Sequence, residues 1–167
     1  GFALLALIVA RLHTRGTRAF LRLRMPDWPA FMLAAVGWIA LVPAIQWLGR
    51  INQMLPQPQW LEEMEAMQMD LIEGVLMGGE LSTAFLFFAL AMTPAICEEL
   101  LFRGYLQRQV ERKWGAATSI VLVGVLFGLY HLRLTQGVPL SLLGLWMGYG
   151  VWASGSLWTG MLLHVLN

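Results

Sequence analysis

Two adjacent carboxylates, Glu98 and Glu99, lie inside the apolar segment that runs from Ala84 to Phe102. Two histidines, His131 and His164, lie in later apolar segments. Ionisable side chains at membrane depth are costly and usually functional. Carboxylates and imidazoles can together activate water, because hydrolysis needs a base for the water and a group that stabilises the oxyanion. These four side chains are therefore candidates for hydrolytic chemistry.

The two carboxylates are predicted to have different roles. Glu99 and Arg103 are four residues apart, on one face of a helix, which suits an ion pair. Glu98 points about 100° away around the helix axis and is free for another task. Because the surroundings of a carboxylate set its protonation state, the spacing favours Glu99 as a structural acid and Glu98 as a base.

Glu98 and His131 lie equally far, in sequence, on either side of the predicted turn at Lys113–Gly115. If the flanking helices are antiparallel, each residue lies roughly 25 Å from that turn, at 1.5 Å per residue. The spacing therefore predicts a carboxylate and an imidazole at the same depth on neighbouring helices. Phe127 precedes His131 by four residues, so its ring is expected to pack beside the imidazole and fix its rotamer.

The final helix is expected to contribute His164 and, three residues later, the amide of Asn167 on nearly the same face. Glu98, His131, His164 and an amide donor meet the needs of a metal-free hydrolytic site, which we favour. In the alternative, His131, His164 and Glu98 bind Zn²⁺ and a water molecule. The chain has no His-Glu-x2-His sequence, so a zincin arrangement is excluded.

Composition indicates a membrane protein. The chain is 58% hydrophobic and 13% charged, against about 25% charged residues in soluble domains. Charges are clustered: five of the eleven basic residues lie between Arg11 and Arg24, four more between Arg103 and Lys113, and six of the ten acidic residues between Glu62 and Glu80. We predict one all-α, polytopic transmembrane helix bundle over residues 1–167, multi-pass and in contact with the bilayer. The net charge of +1 gives no sign of a nucleic-acid partner.

The apolar segments alternate with the charged clusters. If each segment crosses once, both basic clusters lie on one side, which the positive-inside rule makes cytoplasmic, and the acidic region lies on the other. A basic turn is expected over Arg108–Gly115. The predicted helical segments are Gly1–Ala10, Ala30–Gly49, Ala84–Phe102 with a continuation towards Arg112, Ala116–Leu132, Leu140–Ala153 and a last helix that ends at Asn167.

The acidic region from Arg50 to Glu80 contains a further, amphipathic helix. Apolar residues recur there at spacings of three and four, at Leu61, Met64, Met67 and Leu71. This pattern is typical of a helix that lies on a membrane surface. The helix is either an ordinary outer helix or a guide for substrate.

Small residues indicate close packing. The spacings Gly124-x3-Gly128 and Gly144-x3-Gly148 let helix backbones approach one another. Cys97 is the single cysteine, so it is expected to be an apolar filler without an intramolecular disulfide. The N-terminal apolar stretch lacks the features of a signal peptide. Both ends are expected to have been cut from a longer protein.

Three short motifs follow one another between Ala84 and the end of the chain. They are Glu98-Glu99-x3-Arg103, Phe127-x3-His131, and His164 with Asn167 nearby. This ordered trio resembles the CPBP intramembrane protease family, which contains CAAX prenyl endopeptidases and bacteriocin-processing and immunity-related proteins. The run from Glu98 to Leu106 is particularly similar. The resemblance covers about half of the chain and does not extend to the N-terminal half.

The resemblance implies an intramembrane endopeptidase and a role for each motif residue. Glu98, helped by His131, would activate the attacking water. Glu99 would be a second essential acid, supported by Arg103, and His164 would stabilise the oxyanion. The substrate would be a peptide or lipidated peptide, either a prenylated C-terminal tail or a bacterial peptide precursor. No cofactor is favoured, and Zn²⁺ remains the alternative.

The chain departs from the family pattern at one position. The family's third motif usually places Asn four residues after the histidine, which is position 168 here, whereas Asn167 stands at plus three. Other functions also stay open. A non-catalytic binding or immunity protein, or a proton-coupled transporter, could use Glu98 and His131. Ser154 with His164 faintly suggests a serine intramembrane protease, but Trp152 stands where a rhomboid-type motif has Gly.

Overall fold

The computed structural model describes residues 2–79 and 81–167. Over these residues the chain is helical, with no β-strand, which confirms the predicted all-α class. Most helices pack side by side into a bundle. They are α1 (Phe2–His13), α2 (Thr17–Phe20), α3 (Trp28–Gln53), α4 (Gln59–Met77), α5 (Thr83–Trp114), α6 (Ala116–Tyr130), α7 (Gly137–Ser154) and α8 (Leu157–Val165), with a 3₁₀ turn at Leu134–Gln136.

Helix α3 begins two residues earlier than the predicted Ala30. The Asp27 carboxylate accepts a hydrogen bond from the Ala30 amide at 3.3 Å and caps the first turn. Pro29 is tolerated there, because the first amides of a helix have no intrahelical partner. The helix therefore starts at Trp28 and continues past Gly49 to Gln53.

Helix α5 is longer than predicted, because the expected basic turn over Arg108–Gly115 is helical as far as Trp114. Only Gly115 turns the chain, with φ +83°, a value that glycine adopts without a Cβ clash. The favourable position of basic side chains at a helix C-terminus explains the extension. The antiparallel hairpin of α5 and α6 is thus tighter than predicted.

Two stretches of α5, Phe88–Met92 and Leu100–Leu106, are π-helical. Pro94 has no amide hydrogen for the regular hydrogen-bond ladder near the first stretch. The second stretch begins directly after Glu99 and contains Arg103. Single wide turns of this kind often occur at functional sites.

Helices α6 and α7 are in backbone contact through glycine. A Cβ added to Gly144 would lie 2.5 Å from the carbonyl oxygen of Gly124, and one added to Gly128 would lie 2.7 Å from the amide nitrogen of Ser141. These contacts confirm the predicted close packing at Gly124, Gly128 and Gly144. They also fix the position of the end of α6, where His131 lies.

The two basic clusters lie at the same end of the bundle, as predicted. Arg22, from the segment between α1 and α3, forms an ion pair at 2.9 Å with Glu111 of α5. Burial lowers the pKa of the Arg22 guanidinium, and the Glu111 carboxylate opposes that shift. The backbone of Arg22 and Arg24 also hydrogen-bonds to Leu157 and Ser156, at 2.9 and 2.6 Å. The segment between α1 and α3 therefore covers this end of the bundle.

Helix α4 is attached mainly through its first half. Leu61 and Glu65 are its buried residues, and the Glu65 carboxylate accepts hydrogen bonds from the amide, at 3.3 Å, and the hydroxyl of Thr135. Met67 and Leu71 of the predicted stripe are 61% and 66% exposed. The amphipathic helix is therefore present, but half of its apolar stripe faces away from the bundle.

By length and composition, α3 and α5 could each cross a membrane. Helix α6 is apolar but shorter, at 15 residues. Helix α8 has nine residues, roughly 14 Å of helix, against about 30 Å of hydrocarbon. Multiple crossings of the bilayer therefore remain a prediction.

Candidate active site

Three helices bring the four predicted side chains together. Helix α5 carries Glu98 and Glu99, His131 caps the C-terminus of α6, and α8 carries His164. The Glu98 Oε2 atom lies 3.7 Å from His131 Nε2 and 3.9 Å from His164 Nε2. The side chains of Glu98, His131 and His164 are 16%, 25% and 14% exposed. We call these three residues with Glu99 the Glu–His cluster.

The two imidazoles are oriented alike. His131 Nδ1 lies 2.8 Å from the carbonyl oxygen of Phe127, and His164 Nδ1 lies 3.2 Å from Glu99 Oε1. A carbonyl or carboxylate oxygen can only accept, so Nδ1 donates in both rings. In each ring Nε2 is therefore the atom that gains or loses a proton, and in each ring it faces Glu98.

Glu98 Oε2 has no direct partner in the cluster. It is buried and makes no hydrogen bond to any residue that the structure describes. Its distances of 3.7 and 3.9 Å to the imidazole nitrogens exceed a direct hydrogen bond and are too short for a water molecule to lie between the atoms. A water molecule beside them, about 2.8 Å from each, can contact both the carboxylate and an imidazole. Since buried carboxylate oxygens require donors, the cluster can bind a water molecule next to a base.

Glu99 and Arg103 form the predicted ion pair. Arg103 Nη1 donates to Glu99 Oε1 at 2.6 Å, and both side chains are fully buried. Arg103 Nη2 also donates to the Gly144 carbonyl at 3.1 Å. Arg103 Nε and Glu99 Oε2 have no hydrogen-bond partner among the described residues, so the buried pair is satisfied in part. Glu99 Oε1 also faces His164, so Arg103 holds an acid that in turn orients an imidazole.

Phe127 contacts three members of the site. Its ring lies 4.7 Å from the His131 ring and 5.7 Å, edge to face, from the His164 ring, between centroids. The Arg103 guanidinium carbon lies 4.1 Å from the Phe127 centroid, a cation–π contact. The predicted contact with His131 is confirmed, and the structure adds the contacts with His164 and Arg103.

Sequence reasoning missed Gln107. This fully buried side chain donates to the carbonyl oxygen of Gly148 at 3.0 Å, one helical turn beyond the Arg103–Gly144 bond. Gly148 therefore makes room for Gln107 rather than for a helix backbone. The signal was available, because Gln107 follows Arg103 by four residues and Gly148 follows Gly144 by four.

Gly160 was also missed. A Cβ at this position would collide with Glu99 Oε2 and with the side chain of Val151. Gly160 precedes His164 by four residues and shares its helix face. The absence of a side chain at Gly160 is therefore what allows Glu99 to approach α8 and reach His164.

Asn167 lies apart from the cluster. It is exposed and borders a cavity of about 540 Å³ between the end of α3 and the start of α7. In the described part of the chain the Asn167 side chain has no hydrogen bond to the Glu–His cluster. The backbone amide of Asn167 donates to the His164 carbonyl at 3.1 Å. Its role as an oxyanion donor remains a prediction.

Ser154 is not arranged as a nucleophile. Its hydroxyl is buried, donates to the Gly150 carbonyl at 2.7 Å and lies 2.7 Å from the Thr159 hydroxyl. Cys97 is a free, partly buried thiol. The hydrogen bonds of Ser154 fit a structural role at the turn between α7 and α8.

The Glu–His cluster does not fit a metal ion as it stands. Among residues 2–79 and 81–167, no group of three or more His, Cys, Asp or Glu side chains has the spacing to hold one. The distances of 3.7 and 3.9 Å from Glu98 to the two imidazoles exceed the ~3.4 Å between tetrahedral zinc ligands at about 2.1 Å from the metal.

An apolar cavity of about 360 Å³ lies between α3, α5 and α8. Ala95 and Ile96 of α5 line it, as do Leu162 of α8 and Phe31 of α3, and no residue of the Glu–His cluster does. Its lining is almost entirely apolar, so the cavity can hold an aliphatic group. Its wall on α5 lies one turn before Glu98 and Glu99.

The chain belongs to the type II CAAX prenyl endopeptidase Rce1-like family. A model of this family matches residues 80–167, slightly more than half of the chain, and the matched range contains all three motifs. Neither the curated proteins nor the solved structures gave a match. The resemblance to CPBP proteases is therefore confirmed, and with it the class: a membrane protease that acts on a peptide substrate.

Proposed function

We propose that the chain is a multi-pass intramembrane endopeptidase that hydrolyses a peptide bond near or within the bilayer, with water activated by Glu98 and His131. The observation that carries the proposal is the buried Glu98 Oε2 atom. It has no hydrogen-bond partner among the described residues and lies 3.7 and 3.9 Å from two imidazole nitrogens, so a water molecule beside these atoms can contact the carboxylate and an imidazole together. A buried base beside proton-accepting rings is the arrangement that general-base catalysis needs.

The proposed reaction has two steps. Glu98, with His131 beside it, takes a proton from the water, and the hydroxide attacks the carbonyl carbon of the substrate. The resulting oxyanion accepts a hydrogen bond from protonated His164 Nε2, while Nδ1 of the same ring donates to Glu99. The tetrahedral intermediate then breaks its carbon–nitrogen bond, and the proton held by Glu98 passes to the leaving amine.

Glu99 and Arg103 act through His164 in this mechanism. The Glu99 carboxylate holds the Nδ1 proton of His164 at 3.2 Å, and Arg103 fixes Glu99 at 2.6 Å. Preorganised donors of this kind contribute roughly 10²–10³ in rate, because they need no reorganisation when charge develops. Asn167 would add an amide donor if α8 shifts on substrate binding.

The substrate proposed is a peptide with an apolar or lipidated residue near the cleaved bond. The cavity beside Ala95 and Leu162 supports this choice, since its volume of about 360 Å³ and its apolar lining suit an aliphatic group. Two substrate classes fit: a prenylated C-terminal tail, which is what the family description names, and a bacterial membrane peptide precursor.

The proposal is tested by cleavage of both classes of peptide by the full chain in lipid, compared with the Glu98→Gln variant. Removal of a general base reduces the rate by about 10²–10⁴. Glu62→Gln, an exposed carboxylate on α4, is the matched control and should cleave as the parent does. Equal cleavage by all three proteins would overturn the role of Glu98 as the base, and cleavage by none of them would favour a binding or immunity role. Activity that depends on a proton gradient would favour transport.

The same assay with a strong chelator separates the two hydrolytic mechanisms. Retained cleavage supports the metal-free reaction. Loss in the chelator that is restored by Zn²⁺ would favour the alternative in which His131, His164 and Glu98 bind the metal.

A further inference from the structure

The end of the bundle that carries both basic clusters has more positive charge than its acids can neutralise. Asp27 and Glu111 are the acids there, and two arginines already bind Glu111: Arg22 at 2.9 Å and Arg108 at 3.0 Å. Arg112, on the next position of α5, is exposed and has no ion-pair partner among the described residues. A cation without a counter-charge therefore remains at this end.

Arg112 borders a cavity of about 400 Å³ between α5 and the segment that precedes and includes α2. The side chain of Arg108 forms another wall, and Thr14 adds a hydroxyl. Ala19 and Phe20 give the cavity an apolar side, and none of its lining residues is acidic. The cavity thus combines two guanidinium groups with an apolar surface.

Arg108 is held in place before any ligand binds. Its Nε atom donates to the Phe20 carbonyl at 3.1 Å, and its Nη1 atom donates to Glu111 at 3.0 Å. Its Nη2 atom makes no hydrogen bond within the described chain. A fixed guanidinium with a free donor loses little conformational entropy when it binds a planar or tetrahedral oxyanion.

The exposed aromatic side chains place this cavity at the level of lipid headgroups. Trp114 is the last residue of α5, Trp28 is the first residue of α3, and Trp158 lies in the first turn of α8. All three lie at the same end of the bundle and are more than half exposed. Lys113 lies 4.8 Å over the Trp114 ring. Tryptophan is enriched at the membrane–water interface, where basic residues meet anionic headgroups.

We propose that this cavity binds the phosphate of an anionic membrane phospholipid, through Arg108 and Arg112, with the lipid's glycerol and first methylene groups against Phe20 and Ala19. The Arg112 guanidinium can bind phosphate oxygens with two parallel hydrogen bonds, Arg108 offers its Nη2 donor, and the apolar wall suits the uncharged part of the lipid. Because Phe20 and Arg108 belong to different segments, the bound lipid ties the N-terminal segment to α5. The site is independent of the catalytic proposal, since Arg112 lies roughly 20 Å along α5 from Glu98.

The test uses the full chain purified in neutral detergent, with phosphatidylglycerol, phosphatidylcholine or inorganic phosphate added. Thermal unfolding and native mass spectrometry measure binding in parallel. Phosphatidylglycerol should raise the unfolding temperature and remain attached, whereas phosphatidylcholine should do neither at the same concentration. In Arg112→Gln the apparent affinity for phosphatidylglycerol should fall about tenfold, because one charge-assisted contact is lost.

Arg11→Gln is the matched control: it removes the same charge from an exposed position at the same end, outside the cavity. It should keep the affinity of the parent chain. Equal weakening in both variants, or equal binding of the two lipids, would overturn the site in favour of diffuse attraction. Saturation by inorganic phosphate that prevents lipid binding would assign the cavity to a soluble anion instead. The unfolding temperatures of all variants without lipid show whether each is folded.

Discussion

Helices α5 to α8 and helix α4 each bury a carboxylate, but they do so in different ways. Glu99 is surrounded: it is fully buried, pairs with Arg103 and contacts His164. Among the described residues, Thr135 is the residue whose hydrogen bonds Glu65 accepts, and the turns of α4 that follow Glu65 are mostly exposed. In the α5–α8 region the charge of the carboxylate is neutralised inside a packed bundle. In α4 a single carboxylate attaches the helix to the edge of the bundle.

The difference shows where loss of one group has wide effects. In the α5–α8 region Glu99, Arg103 and His164 are bonded to one another away from water, so removal of one of them leaves an unpaired buried charge or donor. In α4 water reaches most groups, so their removal is local. The same kind of substitution should therefore give a large effect in one region and a small effect in the other.

Arg103→Leu should give the largest loss of stability. It leaves Glu99 buried without a counter-charge, which destabilises by about 3–5 kcal/mol. The measurement is the free energy of unfolding in denaturing detergent. The double variant with Glu99→Gln should recover part of that loss, because both charges are then absent. A double variant no more stable than Arg103→Leu would show that the pair itself is not the cause.

Gly128→Ala and Gly74→Ala make the same change in the two regions. At Gly128 the new methyl group meets backbone atoms, with the Ser141 nitrogen at 2.7 Å, so α6 and α7 must separate at a loss of about 1–3 kcal/mol. At Gly74 nothing lies within 4 Å, and alanine should stabilise α4 by about 0.5–1 kcal/mol. The free energies of unfolding should thus change in opposite directions.

The cleavage rates of Gly128→Ala and Gly74→Ala test whether the α6–α7 contact also positions the site. His131 lies three residues after Gly128, so Gly128→Ala should also lower the rate, whereas Gly74→Ala should leave it unchanged. Equal rates in the two variants would mean that the α6–α7 contact does not position the imidazole.

Glu65→Gln should have the smallest effect. A neutral amide oxygen still accepts from Thr135, but the charge-assisted part of the contact is lost, about 1 kcal/mol. The helix should then detach more often, and limited proteolysis between residues 54 and 79 should speed up by several fold. Glu62→Gln, exposed on the same helix, should be cut as the parent is. Equal protection of both variants would show that Glu65 does not attach α4.

Much of the candidate site follows from residue spacing. The equal separation of Glu98 and His131 from the turn, and the four-residue spacings of Glu99 with Arg103 and Phe127 with His131, depend only on regular helix geometry. The structure agrees with each of these expectations. These pairs lie either within one helix or on two helices joined by a single tight turn. Their relative positions therefore depend on few backbone angles that the sequence does not give.

The remaining features depend on packing that spacing does not encode. Which carbonyl accepts from Gln107, and which side chain occupies the space beside Gly160, depend on how α5 lies against α7 and α8. The apolar stripe of α4 correctly indicates a helix, but periodicity does not say what covers the stripe. The position of Asn167 depends on where α8 ends, and helix ends are set by a few weak hydrogen bonds.

The wide turn at Leu100–Leu106 has a consequence for the tolerance of this helix to changes in length. A π stretch accommodates extra chain in one turn, since its hydrogen bonds join residues five apart. Removal of one residue there would therefore restore a regular α-helix and leave Glu98 facing the Glu–His cluster, because the wide turn already absorbs one residue. Removal of one residue from a regular α-helical turn would instead rotate everything upstream by about 100°. The wide turn thus lets this helix change in length without changing the direction of its acids.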